Sequence, residues 1–437
     1  MDNLRSLKAR LNTKINAMLC SKNGSELGCL QESIAFSADL LGWLKMQSCY
    51  PQFYWRSRNP AQSDSEVIAA LGEVRRFEDV RQANLFIQAQ PFTLIGGLTF
   101  DGKGYFCLPR LLLQQHDNHL RLSLFWDNLQ DWERERQALL QVLQGLESCA
   151  ALSAPEYPIR PLAAKAEAQQ WCSWVEKALQ YIERGELNKV VLANQTAFVS
   201  SRPINPIDLL AESEKCNNGC YHFLFARSAH QAFLGSTPER LYLRRESHLY
   251  TEALAGTAAM SEDKEFNRQQ GEWLLQDSKN DYENRLVVQD ICDNLRPISR
   301  QIEVGEVSLK QLRRVQHLRR KISAELNPGY ADEACLQAIH PTAAIAGLPR
   351  RKALDFLAAT ETFERGWYAG TLGFMNKSGA EFCVTIRSAL IEGNKIAVFA
   401  GAGIVSGSEP EQEWREIERK ASGLLSLLQK RGEQSCQ

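Results

Sequence analysis

Long apolar runs are missing from this sequence. No stretch approaches the roughly 18–20 apolar residues needed to span a bilayer, and the opening segment MDNLRSLKARLNTKINAML carries charges throughout. Neither a transmembrane helix nor a signal peptide is expected. An excess of one charge is missing too. Lys and Arg number 51 against 52 Asp and Glu, a net charge of −1, so no global field gathers nucleic acid or an anionic membrane. Any anionic ligand must be held by local positive groups. Histidines are few and scattered, seven in all, and nothing resembles HExxH. Cysteine is not scarce, at twelve, but only Cys216 and Cys220 (CNNGC) lie close together, and no second pair completes a zinc site. Reduced, mostly buried thiols and a cytoplasmic location are expected. Internal repeats and low-complexity tracts are absent as well.

What is present is ordinary globular sequence, 44% apolar and 24% charged over 437 residues, enough for one large or two ordinary domains. The best candidate boundary is a linker at 154–170, APEYPIRPLAAKAEAQQ, with three prolines. Before it, residues 1–153 read as a mixed α/β region. QPFTLIGGLTF and HLRLSLFW read as strands and Trp132 to Leu146 as a helix. After it, in 171–437, Trp171, Trp174, Val175, Ala178, Leu179 and Ile182 recur at helical spacing, ended by Gly185. KVVLANQTAFV follows as a strand, then HFLFARS, AFLGST and RLYLRR as a meander. Lys264 to Leu295 reads as one long helical stretch. FCVTIRSALI and KIAVFAGAGIV read as strands, and a final helix runs from about Glu409 to Gln429. Strands in runs with helices inserted as blocks predict an α+β sheet protein rather than a regular βαβ repeat.

The last helix is the most informative element. Ser408 with Glu411 fits a capping box. Glu413, Glu416 and Lys420 share one face beside the apolar stripe. They read either as a solvated face with a Glu–Lys pair or as a hard-cation site. The segment KNDYENRLVVQDI places Glu283 and Asp290 on one helix face, with Asn280 one turn earlier. One carboxylate from each helix suffices for Mg²⁺, which commonly takes one or two carboxylates plus substrate and water. Lys189 opens an apolar strand. There it either reaches solvent or sits in a partly apolar place, where desolvation favours the neutral amine of a general base. Glu239, in GSTPERL, is either a solvated turn residue or, if buried, a general acid. Arg387, in the apolar CVTIRSA, demands an anionic partner if buried. Two glycine-rich segments remain. ALAGTA (Gly256, Thr257) lets backbone N–H groups approach an anion. AGAGIVSGS (Gly401, Gly403, Gly407) superficially resembles a dinucleotide fingerprint, but its spacing is GxGxxxG and no βαβ unit follows.

In this order, the segments GELNKVVLAN, GSTPERL, EALAGTA, ENRLVVQDI, VQHLRRKI, HPTAAIAGLPR, WYAGTLGF, FCVTIRSA and AGAGIVSGSEPEQEWREIERKA resemble the chorismate-utilising enzymes, which comprise isochorismate, salicylate, anthranilate and aminodeoxychorismate synthases. The resemblance spans Gly185 to Ala421. The N-terminal YPQFYWRSR further resembles isochorismate synthases of the menaquinone type. The resemblance implies a large antiparallel β-sheet sandwich with flanking helices, into which residues 1–153 pack as part of one body. It implies Lys189 as the base that activates water and Glu239 as the acid that protonates the departing hydroxyl. Glu283 and Glu416 become Mg²⁺ ligands, with Asn280 and Glu413 in the surrounding shell. Gly256, Thr257, His317, Ala344, Tyr368, Arg387, Gly401 and Lys420 hold the substrate. VQDI stands where many relatives read VDL, which shifts Asp290 by one position.

Two positions discriminate within the family. Lysine at 189 favours water over ammonia as nucleophile, so no glutaminase subunit is expected. Alanine at 344 offers neither the nucleophilic lysine of aminodeoxychorismate synthases nor the threonine of anthranilate and salicylate synthases, although Thr342 lies close. The resemblance thus implies Mg²⁺-dependent conversion of chorismate to isochorismate. Salicylate formation, isochorismate formation for siderophores and catalytically silent chorismate binding remain as rivals.

Overall fold

The structure, a computed structural model, describes residues 2–18, 26–58 and 66–428. Two large sheets pack face to face. Among the described residues one has twelve strands and the other ten. The α+β architecture and the sandwich anticipated from the sequence are both present. No described helix is long and apolar enough to cross a membrane.

Residues before and after position 153 build both sheets together. In the larger sheet Gln52–Arg56 pairs antiparallel with Tyr221–Ser228 (Trp55 opposite Phe223). In the smaller one Leu94–Leu98 pairs with Thr371–Met375. The alternation of strand side chains explains how each strand is buried on both faces. Phe53 and Trp55 enter the core between the sheets, whereas Tyr54 enters a second core on the outer face. That outer core lies under helices Asp2–Ala17, Leu40–Lys45 and Trp132–Leu143. A third cluster lies under the helices Ala168–Glu183, Arg350–Ala358 and Pro410–Leu425, which cover Lys189–Ser200 and Lys395–Ile404.

Four segments differ from the sequence reading. The proline-bearing stretch 154–170, expected as a linker, contains the strand Ile159–Ala164, which pairs with Lys189–Ser200. Pro161 fits there because this strand sits at the side of the sheet. The helical stretch from Lys264 breaks at Asp277. That residue ends one helix at Gln276 and caps the next, Ser278–Leu295, by accepting from Asn280 N–H. The meander is split. Tyr221–Ser228 and Gln231–Thr237 belong to the larger sheet, but Arg240–Arg245 belongs to the smaller. FCVTIRSALI is likewise two strands, Gly379–Val384 in the smaller sheet and Ser388–Glu392 in the larger.

Within these two segments the chain passes from one sheet to the other, at 238–239 and at 385–387. The two crossings run side by side. Gly235 lies opposite Ser388 in one sheet and Arg240 opposite Cys383 in the other. Ser236 N–H donates to the Arg387 carbonyl (3.2 Å), and Val384 N–H to the Glu239 carbonyl (3.1 Å). The sequence suggests one continuous strand over FCVTIRSALI because Thr385 and Ile386, both β-branched, carry the strand pattern through the second corner.

Candidate active site

Glu239 and Arg387 sit on these paired corners, at one end of a pocket between the sheets. The pocket is also lined by Gly256, Thr257, Asn280, Glu283, His317, Ala344, Tyr368, Gly401, Glu413, Glu416 and Lys420. Lys189 stands directly behind the lining. All the residues to which the resemblance gives a part in catalysis, substrate binding or metal binding thus meet in one place, whereas Asp290 does not.

Lys189 is the first residue of its strand and pairs with Leu348. It is fully buried (0% exposed). Its inward neighbours Val191 and Ala193 lie opposite Gly403 and Gly401 of the strand Lys395–Ile404. Both glycines lie in the strand expected over KIAVFAGAGIV, on its inward face. A Cβ at Gly403 would lie 2.4 Å from Glu283 Oε1 and 3.1 Å from Lys189 Cε, and one at Gly401 would lie 2.9 Å from the Tyr368 hydroxyl. The strand is bare so that other side chains can fill the space. Lys189 Nζ lies 2.9 Å from Glu283 Oε1 as an ion pair, without an aligned hydrogen bond.

Glu239 is 5% exposed. Burial pushes its carboxyl up to about 8. Glu252 behind it adds to the rise, against the pull of Lys189, Lys420 and Arg58. A carboxyl so placed is protonated at neutral pH and can donate a proton. The turn is not a solvated surface turn.

Two helices bring carboxylates to the same pocket. Ser278–Leu295 carries Glu283, and Pro410–Leu425 carries Glu413 and Glu416. Ser408 does not cap the latter helix. Its N-cap is Glu409 without a side-chain bond, while Ser408 Oγ accepts from Val405 N–H (3.2 Å). Lys420 Nζ lies 2.6 Å from Glu416 and donates to the Gly401 carbonyl (2.8 Å). Burial favours the neutral Glu416 carboxyl, but Lys420 prevails and holds its pKa below the usual value. Glu413 is pushed up to about 7 by burial and by its neighbours Glu416 and Glu283.

Among the described residues no three of His, Cys, Asp and Glu converge tightly enough to hold an ion unaided. The crowding that perturbs Glu413 nevertheless fits a divalent hard cation, which needs only one or two carboxylates when substrate and water supply the rest. Asp290 takes no part. It is buried, accepts from Ala343 N–H (2.8 Å) and Asn294 Nδ2 (2.8 Å), and lies 3.9 Å from Arg350. It anchors the loop that presents Ala344.

That loop answers a question of register. Ala344 lines the pocket. Thr342 is buried outside the lining and its Oγ1 accepts from Ala344 N–H (3.3 Å). Gly256 takes a left-handed conformation (φ +82°), and a Cβ there would meet Asn280 Cβ at 3.0 Å. Asn280 Oδ1 accepts from Thr257 N–H (3.2 Å). Burial lowers the His317 pKa to about 3, so the ring is neutral. Its Nδ1 faces the Gly256 carbonyl at 3.3 Å and Thr257 Oγ1 at 3.1 Å. A carbonyl only accepts, so Nδ1 carries the proton and Nε2 is an acceptor. Arg387, expected within a strand, lies in the corner with φ +54°. Its guanidinium has no hydrogen-bond or ion-pair partner among the described residues, and burial holds its pKa below the usual value. A cation so placed favours an anionic ligand.

Sequence reading missed Lys279, which pairs with Glu413 at 3.4 Å, and Phe399, which stacks on Tyr368 (centroids 5.0 Å apart, 12° between planes). The alternation FAGAG was the available signal for this face.

Known proteins bear on the site as follows. The family model described as chorismate binding enzyme matches residues 99–429. The chain is similar to the isochorismate synthase MenF of Pasteurella multocida, 51% identical over 433 residues, covering 98% of this chain and 99% of that one. The Haemophilus influenzae isochorismate synthase MenF is 49% identical over 430 residues, covering 98% and 97%. A solved structure of MenF, the menaquinone-specific isochorismate synthase from Escherichia coli, superposes with a TM-score of 0.90 at 38% identity, covering 98% of this chain and 100% of that one. With its pocket-forming segments inside the matched region, the chain belongs to the family of chorismate binding enzymes.

Proposed function

We infer that this protein converts chorismate to isochorismate on the way to menaquinone, with Lys189 and Glu239 as base and acid. The observation that carries the reading is that a wholly buried lysine and a carboxyl with a pKa of about 8 serve one pocket, in a chain similar over nearly its full length to isochorismate synthases.

Chorismate is a dianion, and the pocket meets it with Arg387 and Lys420 and with the backbone at Gly256 and Gly401. Moving the hydroxyl needs a proton taken at one carbon and a proton given at another. In its amine form Lys189 Nζ takes a proton from water as that oxygen bonds to C2. The ring double bond shifts, the C4–O bond breaks, and Glu239 gives its proton to the departing hydroxyl, which leaves as water. Water consumed equals water released, and no oxidant or reductant is required. General acid and base contributions of about 10²–10⁴-fold each are ordinary for such groups. Glu283 and Glu416 would hold Mg²⁺, with Glu413 and Asn280 beside them, and the ion would supply neutralisation of substrate carboxylate charge. Ala344 supports hydration without pyruvate loss, because it presents no hydroxyl or amine to the ring.

The test is a product analysis. Purified protein is incubated with chorismate, with and without Mg²⁺, and the mixture is resolved by liquid chromatography. Mg²⁺-dependent isochorismate without pyruvate is the expected result. Salicylate with pyruvate, or no turnover, overturns it.

A further inference from the structure

The corner that carries Glu239 is held from behind by two residues to which the chemistry above gives no part. Arg58 and Glu252 are both buried. Arg58 Nη2 donates to Glu252 Oε2 at 2.9 Å and Nη1 donates to Glu252 Oε1, a side-by-side pair. The same Nη1 donates to the Pro238 carbonyl at 2.7 Å. Glu252 Oε1 in turn accepts from Arg240 N–H at 3.4 Å. The residues on either side of Glu239 are thus tied to opposite members of one ion pair. In front, the Glu239 carbonyl accepts from Val384 N–H (3.1 Å), and its N–H donates to Thr237 Oγ1 (3.3 Å). The backbone is fixed on every side. The Glu239 carboxyl itself makes no hydrogen bond among the described residues and is free to donate.

A further network steadies the pair. The Arg58 guanidinium lies 5.4 Å from the centroid of the Tyr221 ring. Tyr221 donates to Glu381 (2.6 Å), and Arg240 Nη2 also reaches Glu381 (2.9 Å). Although burial favours the neutral form of Glu252, Arg58 prevails and keeps its carboxyl below the usual pKa, so it is ionised. The charged and titratable groups that act on Glu239 are Glu252 from the strand His248–Ala259, Lys189 from its strand, Lys420 from the last helix, Arg58, and Tyr368. Glu252 is the acidic member of this set.

We propose that the Arg58–Glu252 pair is a clamp that positions Glu239 for proton delivery, which makes Arg58, far from the catalytic residues in sequence, a positioning residue of the reaction. The proposal rests on the reading of Glu239 as the acid. It explains why the segment before residue 153 is joined to the catalytic part by a central strand pairing. Gln52–Arg56 sits beside Tyr221–Ser228, and Arg58 follows that strand directly.

The experiment uses the full chain in three variants, Arg58→Lys, Glu252→Gln and Glu239→Gln. Chorismate kinetics with Mg²⁺ are measured across pH, beside thermal unfolding. Arg58→Lys keeps the charge but loses the forked contact. It should lower kcat by about 10–100-fold, as a misplaced group does, with KM little changed. Glu252→Gln keeps the hydrogen-bonding shape but removes the charge that raises the Glu239 pKa. The alkaline limb of its kcat profile should move to lower pH, by on the order of one unit. A merely structural ion pair would change the melting temperature and leave that limb where it is. Folded Arg58→Lys with wild-type kcat, or an unmoved alkaline limb in Glu252→Gln, overturns the clamp. If Arg58→Lys does not fold, the Glu252→Gln profile decides alone. Full activity in Glu239→Gln would instead overturn Glu239 as the acid.

Discussion

The two sides of the pocket are built differently. Lys189 and Glu239 stand on or between strands, almost wholly buried, with their backbone hydrogen-bonded in ladders and corners. Glu283, Glu413 and Glu416 stand on helices, and each has a lysine within ion-pair distance: Lys189, Lys279 and Lys420. Groups that move protons need one fixed position, because rate falls steeply with misplacement. Groups that bind charge can exchange one cationic partner for another. The sheet side suits chemistry and the helix side suits binding.

Replacing sheet-borne groups should therefore abolish turnover, whereas replacing helix-borne groups should change what must be added to obtain it. The largest effect is expected for Lys189→Ala and Glu239→Gln, each losing about 10²–10⁴-fold in kcat while still binding chorismate by calorimetry. Normal turnover in either removes that residue from its role. Next is Gly403→Ala, whose methyl group would press on Glu283 and Lys189 together. A fall of about 10–100-fold in kcat is expected. A full-rate variant would mean that the bare strand face is not needed.

A gentler test uses pH alone. Glu239 must be protonated to act, so kcat should decline as pH rises through about 8. A flat profile to pH 10 would dissociate the acid from this carboxyl. On the helix side, Glu416→Gln should raise the Mg²⁺ concentration needed for half-maximal rate, and an unaltered metal titration would remove it from the ligand set. Smallest for catalysis is Asp290→Ala. Leaving Ala343 N–H buried without an acceptor should cost about 1–3 kcal/mol of stability by chemical denaturation, and kcat should fall less than in Gly403→Ala.

The helix side was the more legible one in the sequence. Glu413, Glu416 and Lys420 share a face by spacing alone, and an amphipathic helix tells which face it is. The sheet side was legible only in part. Lys189 at a strand start was visible as a candidate, but its complete burial depends on Leu348 and on the helix bearing Glu283, both remote in sequence. Glu239 and Arg387 were placed on a turn and in a strand. That both mark crossings between sheets follows from pairings such as Arg240 with Cys383, which local alternation cannot encode. Asp290 misled because helical spacing puts it with Glu283, whereas the loop at Ala343 claims its carboxylate first. Arg58 and Glu252 fall in two of the resembling segments, YPQFYWRSR and EALAGTA, but nothing local pairs them. Their partnership joins residues 194 positions apart.

The paired corners have a further consequence. Glu239 and Arg387 are tied to each other's strands by Val384 N–H and Ser236 N–H. If one sheet slides or twists over the other, both corners are displaced together, as a common-mode error that leaves their difference unchanged. The Glu239 carboxyl and the Arg387 guanidinium would then keep their calibration to one another while the sandwich around them breathes.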